Sequence, residues 1–221
     1  MPGPSALAIE VVSDVVCPWC YIGKRRLAKA LALLAGEVQV RVAWLPFQLN
    51  PGMPRAGMAR AEYRRAKFGS FERGRELDAH VAAEGSREGI TFAFERIART
   101  PNTLAAHQLI ELAQQRARGD AVVDALFRAY FEEGRDVGDA AVLLQIARAC
   151  EIEDREVESR WADQDDARRV LQLESEMRSL GIDAVPTFVF DRRTGVSGAH
   201  PPEALAAAIR AAAQHADGPS T

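Results

Sequence analysis

Two thiols separated by two residues, Cys17 and Cys20 in the run Cys17-Pro18-Trp19-Cys20, are the residues best equipped for chemistry in this chain. At that spacing they can form and break a disulfide with each other. The apolar stretch Ile9 to Val12 precedes them and a helical pattern from Tyr21 to Leu34 follows, so Cys17 falls at a helix start. Backbone N–H groups point outward there and the helix dipole favours negative charge. Such a position favours the thiolate, the reactive form of a cysteine. Cys20, one turn inside the helix, is placed to attack a mixed disulfide on Cys17 and release the partner.

Other chemistries fit less well. A zinc site needs two further ligands beside the pair, usually as a second close pair. Cys150, His80, His107, His200 and His215 are scattered singly, so no metal is expected. Three cysteines also exclude a structural disulfide framework. The net charge of −3 gives no basic footprint for nucleic acid. No apolar run reaches the length needed to cross a bilayer, and Met1 to Leu7 lacks the basic and apolar regions of a secretory signal. The expected location is therefore cytoplasmic, where an isolated dithiol reads as catalytic or redox-sensing and rests largely reduced.

The elements that must position the pair follow from periodicity. Ile9 to Asp14 reads as a strand, Pro18 to about Gly36 as a helix, and the alternation Val38, Val40, Val42, Trp44 as a half-buried strand. Leu49 to Pro54 breaks the pattern. Residues from about 55 to 163 read as helical throughout: Asn102 or Thr103, Asp120 and Asp139 are candidate N-caps, and no strand signal interrupts. A helix from about Asp166 to Gly181 follows. Then come a strand at Thr187 to Phe190, a turn through Asp191 to Gly195, a short strand at Val196 to Gly198, and a closing helix from Pro201 to about Gln214. Asp217 to Thr221 read as a disordered tail.

Short strands at opposite ends of the chain cannot bury their faces separately and are expected to share one sheet. The expected fold class is α/β, a thioredoxin-like fold with a large all-helical insertion. Residues 1–53 and 164–221 form the discontinuous thioredoxin-like part, and 54–163 the insertion domain over the active-site face. Val185-Pro186 enters the first late strand, and a cis bond opposite the dithiol is one reading. A trans strand-entry proline is the other.

Several stretches together carry a resemblance. They are Ser13 to Gly23, Trp44 to Pro51, Asn102 to His107, Leu126 to Phe131 and Gly181 to Phe190, and they span nearly the whole chain. The chain resembles the DsbA-like thiol–disulfide oxidoreductases, specifically their FrnE-type cytosolic branch. The resemblance implies Cys17 as the exposed nucleophile, Cys20 as the resolving thiol, and Val185-Pro186 as the loop facing them. Pro18 and Trp19 would tune the redox potential, with Trp19 offering an apolar surface to the substrate. Substrates would be protein thiols and disulfides or glutathione, with no cofactor beyond the Cys17–Cys20 disulfide. A homodimer is one assembly compatible with the sequence. There are two departures. No second cysteine pair follows Cys150, and Val11 stands where thioredoxin relatives carry a buried acid, so proton transfer to Cys20 needs another group or water.

Two other functions compete. One is a glutathione-dependent isomerase or transferase of the kappa or 2-hydroxychromene-2-carboxylate isomerase type, with Asn102 and His107 lining the pocket. Those enzymes typically use Ser where Cys17 stands. The other is a client-binding chaperone or biosynthetic accessory protein. Among individual residues, Asp14 reads as a strand terminator that satisfies loop N–H groups, or else as a charge that raises the thiol pKa by repulsion or as a proton acceptor. His107 reads as a site residue or a hydrogen-bonded structural one. Cys150 reads as a buried hydrophobe, Leu126 to Phe131 as core, and Lys24-Arg25-Arg26 as a solvated helix face.

Overall fold

A computed structural model describes residues 6–216. The dithiol is positioned by a parallel β-α-β unit of β1 (Leu7–Ser13), α1 (Pro18–Leu33) and β2 (Val40–Pro46). In the middle of the chain lie β3 (Met58–Ala59), α2 (Arg60–Phe68), α3 (Phe71–Arg87), a single 3-10 turn at Phe94–Arg96 and β4 (Arg99–Thr100). Five helices follow: α4 (Leu104–Gln115), α5 (Gly119–Phe131), α6 (Ala140–Ala149), α7 (Asp154–Ala162) and α8 (Gln164–Ser179). The chain closes with β5 (Thr187–Phe190), β6 (Thr194–Ser197) and α9 (Pro202–Ala216). The tail from Asp217 lies outside the described residues.

Strands from both ends of the sequence join one sheet, in the order β2-β1-β5-β6. β1 is its centre, parallel to β2 in the register Val11↔Trp44 and antiparallel to β5 in the register Val11↔Phe188. A central strand covered on both faces is largely apolar, and β1 is so except at Glu10, which pairs with Arg192, and Ser13: Ile9 and Val11 face the large core while Val12 joins Phe47, Met177 and Val189 on the other side. The β5–β6 hairpin turns through Asp191 and Arg192, both at positive φ (47° and 55°). That conformation matches the twist of the flanking strands, and the Asp191 Oδ1 accepts from the Ala8 N–H at 2.8 Å.

The helical region has no separate centre: the main core runs from Ile9 and Tyr21 through Leu109, Phe127 and Phe131 to Val157. Tyr21 of α1 stacks on Phe127 at 5.1 Å, so the aromatic stripe of α5 is core, as its spacing predicts.

Three sequence expectations need correction. The middle of the chain is not helical throughout, because β3 and β4 pair antiparallel (Met58↔Thr100). Two-residue strands carry no periodicity to read, and the pair forms through close approach: a Cβ on Gly57 (φ +66°) would sit 2.7 Å from the Thr100 carbonyl oxygen. Asp120 does not cap α5, which begins at Gly119 without a side-chain cap. Its carboxylate instead accepts from Lys24 Nζ at 3.0 Å. Finally, Lys24-Arg25-Arg26 is not a solvated face. Lys24 is buried against Asp120 and Asp124, and Arg26 is buried between Glu84, Glu88 and the Ala199 carbonyl. These basic residues fasten α1 to α5 and α3.

Candidate active site

Cys17 is the N-cap residue of α1, extended at φ −94°, ψ 112°, with Pro18 beginning the helix. Proline suits that place because its φ is already helical and its missing N–H would have had no partner in the helix. The Cys17 N–H donates to the Asp14 carbonyl at 3.0 Å, and its carbonyl accepts from the Cys20 N–H at 3.0 Å. No side chain caps the helix, so the positive end of α1 is left to the Cys17 sulfur.

Cys17 is buried rather than exposed, at 5% of its full accessibility. Its Sγ donates to the Val185 carbonyl oxygen at 3.6 Å, and this contact covers it. The Val185–Pro186 peptide is cis. The loop is fixed by the Thr187 Oγ1, which donates to the Ala184 carbonyl at 2.8 Å, and by the Gly198 N–H, which donates to the Pro186 carbonyl at 2.7 Å. Gly23 lets α1 reach this loop: a Cβ there would sit 2.8 Å from Pro186 Cγ.

Cys20 is buried behind Cys17 at 1% exposure. Burial pushes its thiol well up, reinforced by the adjacent Cys17 sulfur; the Ser13 hydroxyl and the Asp14 backbone oppose the rise. Both cysteines are free thiols. Pro18 and Trp19 are half-buried, and the Trp19 ring lies 5.8 Å from that of His80 on α3.

The structure brings Cys17, Cys20, Val185 and Pro186 together. Asn102 is committed locally, its Nδ2 donating to the Met53 carbonyl (2.8 Å) and its Oδ1 accepting from the Leu104 N–H (3.0 Å) at the start of α4. His107, also on α4, is buried at 4% exposure, and its Nε2 stands 3.5 Å from Asp14 Oδ1. It therefore lies against the residue whose carbonyl holds the Cys17 N–H. Asp14 is fully buried, and its Oδ2 accepts from the Leu49 N–H at 2.8 Å, so it does terminate the strand and satisfy a loop amide. Cys150 closes α6 as a buried thiol whose ionisation burial opposes. Among the described residues, no three His, Cys, Asp or Glu side chains gather as metal ligands would.

Sequence reasoning missed the partners Tyr21 finds. Its hydroxyl donates to Glu132 Oε1 at 2.5 Å and accepts from Arg25 at 3.0 Å. The only signal was a polar tip one residue after the dithiol, on a side chain whose ring belongs in the core.

Comparison with known proteins agrees with this fold. Residues 8–210 match the DSBA-like thioredoxin domain. A crystal structure of a probable DsbA oxidoreductase from Streptomyces coelicolor superposes with a TM-score of 0.86 at 33% identity, covering 97% of this chain and 93% of that one. A 2-hydroxychromene-2-carboxylate isomerase shares the fold at a TM-score of 0.71 and 16% identity, over 96% of this chain and 100% of that one. So does the cytosolic disulfide reductase DsbM from Pseudomonas aeruginosa, crystallised with GSH, at 0.62 and 18%, over 94% and 96%. The chain belongs to the DsbA-like thioredoxin-domain family.

Proposed function

We propose that this DsbA-like chain is a thiol–disulfide oxidoreductase of the FrnE-type cytosolic kind, exchanging disulfides with protein thiols or a small thiol such as glutathione. The observation that carries the reading is the placement of two free thiols: Cys17 Sγ at the bare N-terminus of α1, facing Val185, with Cys20 buried behind it. A substrate disulfide is attacked by the Cys17 thiolate, the reactive form of a cysteine. One substrate sulfur becomes bonded to Cys17 and the other leaves as a thiolate. Cys20 then attacks Cys17 Sγ, the mixed disulfide breaks, and the substrate's second sulfur departs. Run backwards, the same steps oxidise a dithiol substrate. The pair's potential against its surroundings sets the direction.

The contact between Cys17 and the Val185 carbonyl marks where an extended substrate segment would add its own backbone hydrogen bonds. Glutathione as a substrate is supported by the shared fold of the GSH-bound reductase. Against the isomerase reading, His107, offered for a glutathione pocket, is buried against Asp14 instead.

Insulin reduction and dithiol oxidation test the proposal. Cys17→Ser abolishes both, while Cys20→Ser accumulates a mixed disulfide on Cys17 visible by mass spectrometry. Full activity in Cys17→Ser refutes the assignment. Aggregation suppression that survives Ala at both cysteines, with no exchange activity in the parent protein, would support client binding instead.

A further inference from the structure

At the end of β1 lies a cavity of about 40 Å³, bounded among others by Ser13, Trp44, His107, Glu111 and Gln114. A buried water needs roughly 10–15 Å³ of such space together with polar partners. Partners are present. His107 Nε2, Trp44 Nε1 and Glu111 Oε2 are buried without a hydrogen bond to protein, and so is Asp14 Oδ1, 3.5 Å from His107 Nε2. Unpaired polar atoms cost about 1–3 kcal/mol each when buried, so three on residues lining one small space, with Asp14 Oδ1 beside His107, mark a site suited to water. Ser13 joins this space to the chemistry: it borders the cavity, and its hydroxyl favours the Cys20 thiolate, opposing the rise that burial imposes.

Cys20 must lose a proton before it can attack, yet it is sealed from solvent. We propose that Asp14 and His107 are the proton-accepting pair for Cys20, working through the Ser13 hydroxyl and water held in this cavity. The inference rests on the thiol–disulfide reading above. In the resolving step, the Cys20 S–H proton passes to the His107–Asp14 pair. The Cys20 thiolate attacks Cys17 Sγ, the Cys17–Cys20 bond forms, and the Cys17–substrate bond breaks. The substrate sulfur takes that bond's electron pair and leaves as a thiolate, and the proton later returns by the same route or passes to solvent. Cys20 is oxidised and the substrate sulfur reduced. Asp14 and His107 act through Ser13 and water and are positioning residues, not catalytic ones. The other ionisable groups around them are Cys17, Glu111, whose second oxygen is held by Arg169, and Tyr130, whose ionisation the Asp14 charge opposes.

Reaction of the reduced protein with 5,5′-dithiobis(2-nitrobenzoate), followed by stopped flow, separates the two steps. The first thionitrobenzoate released reports attack by Cys17, and the second reports resolution by Cys20. Asp14→Asn keeps an oxygen for the Leu49 N–H, and His107→Gln serves if that variant fails to fold. Each is expected to slow the second release at least about tenfold at neutral pH, the low side of general acid–base effects, and to leave the first within about twofold. The second rate should then climb steeply with pH, because hydroxide must take the proton, whereas in the parent protein it levels off. Equal slowing of both phases, or an unchanged second phase and pH profile, overturns the relay. A parent protein that never gives the second release overturns the thiol–disulfide reading itself.

Discussion

Replacing Gly23 by Ala pits two effects of known size against each other at the contact between α1 and the Pro186 loop. In an exposed helix interior, Gly→Ala stabilises by about 1 kcal/mol, because alanine loses less backbone freedom. Here the added methyl would lie 2.8 Å from Pro186 Cγ and 3.3 Å from Phe188 Cζ. Neither neighbour yields easily. Pro186 is a ring in a loop pinned by the Thr187 hydroxyl and the Gly198 amide, and Phe188 is fully buried in the central sheet. Overpacking of this kind costs about 1–3 kcal/mol, so the clash outweighs the helix gain and the net loss is about 1 kcal/mol. For a domain of this size that lowers Tm by about 2–4 °C.

The larger effect falls on rate. Reaching ordinary contact requires α1 and the loop to separate by about 0.6 Å, from 2.8 to 3.4 Å, and that motion carries the Val185 carbonyl away from Cys17. Misplacement near 1 Å can cost about a hundredfold, so mixed-disulfide formation should slow by roughly tenfold. Thermal unfolding followed by circular dichroism gives the first number and stopped-flow alkylation or disulfide exchange at Cys17 the second. Gly52→Ala is the control, because a Cβ there meets nothing within 4 Å; it should stay within about 0.5 kcal/mol. A Gly23→Ala protein as stable and as fast as the parent would refute the argument that this glycine sets the approach of loop to helix.

Arg26→Met removes a buried cation that holds Glu84, Glu88 and the Ala199 carbonyl, and leaves those acids short of a partner. The expected loss is about 3 kcal/mol, read by urea unfolding; a change below about 1 kcal/mol would show that Lys29 alone satisfies Glu88. Alkaline stability should fall in two stages. Above about pH 9 the unfolded chain ionises Cys20 while the folded protein, where burial raises that thiol, keeps its proton. Fewer protons on the unfolded state mean that stability drops as pH rises, by at most about 1.4 kcal/mol per pH unit for one group. Between pH 10 and 12 Tyr130, pushed up to about 12 by burial, and Tyr21, whose hydroxyl burial also pushes well up, add a second loss of the same sign. Tyr130→Phe should reduce the slope of the upper stage in denaturant titrations run across that range, leaving the Tyr21 share, and an unchanged slope would count against it.

Much of the fold was legible because it is written locally. The apolar run of β1, the Pro18 start of α1 and the Gly36 just past its end, and the helical spacing of Val123, Leu126, Phe127 and Tyr130 each need only their own neighbours. The dithiol was legible for the same reason. What escaped depends on partners distant in sequence. Nothing near Lys24 says that Asp120 will reach it, so a basic run looked solvated and an acidic residue looked like a cap. The β3–β4 pair is too short to have a period. The burial of Cys17 arises from Val185, 168 residues away. His107 showed as a candidate site residue or a structural one, with nothing in its neighbours to choose between them. That it meets Asp14 is set by how α4 leans on β2 and the loop behind the dithiol.

That separation of 168 residues has a consequence in time. Both thiols leave the ribosome long before the loop that covers them, by roughly 10–30 s at usual rates of synthesis. Through that interval α1 can coil, but β1 lacks its β5 neighbour, and Cys17 has no carbonyl over it. The nascent chain thus carries a bare, uncovered pair of thiols, open to whatever oxidant or thiol its surroundings offer. Only the arrival of the last sixth or so of the sequence turns that pair from a target into a tool.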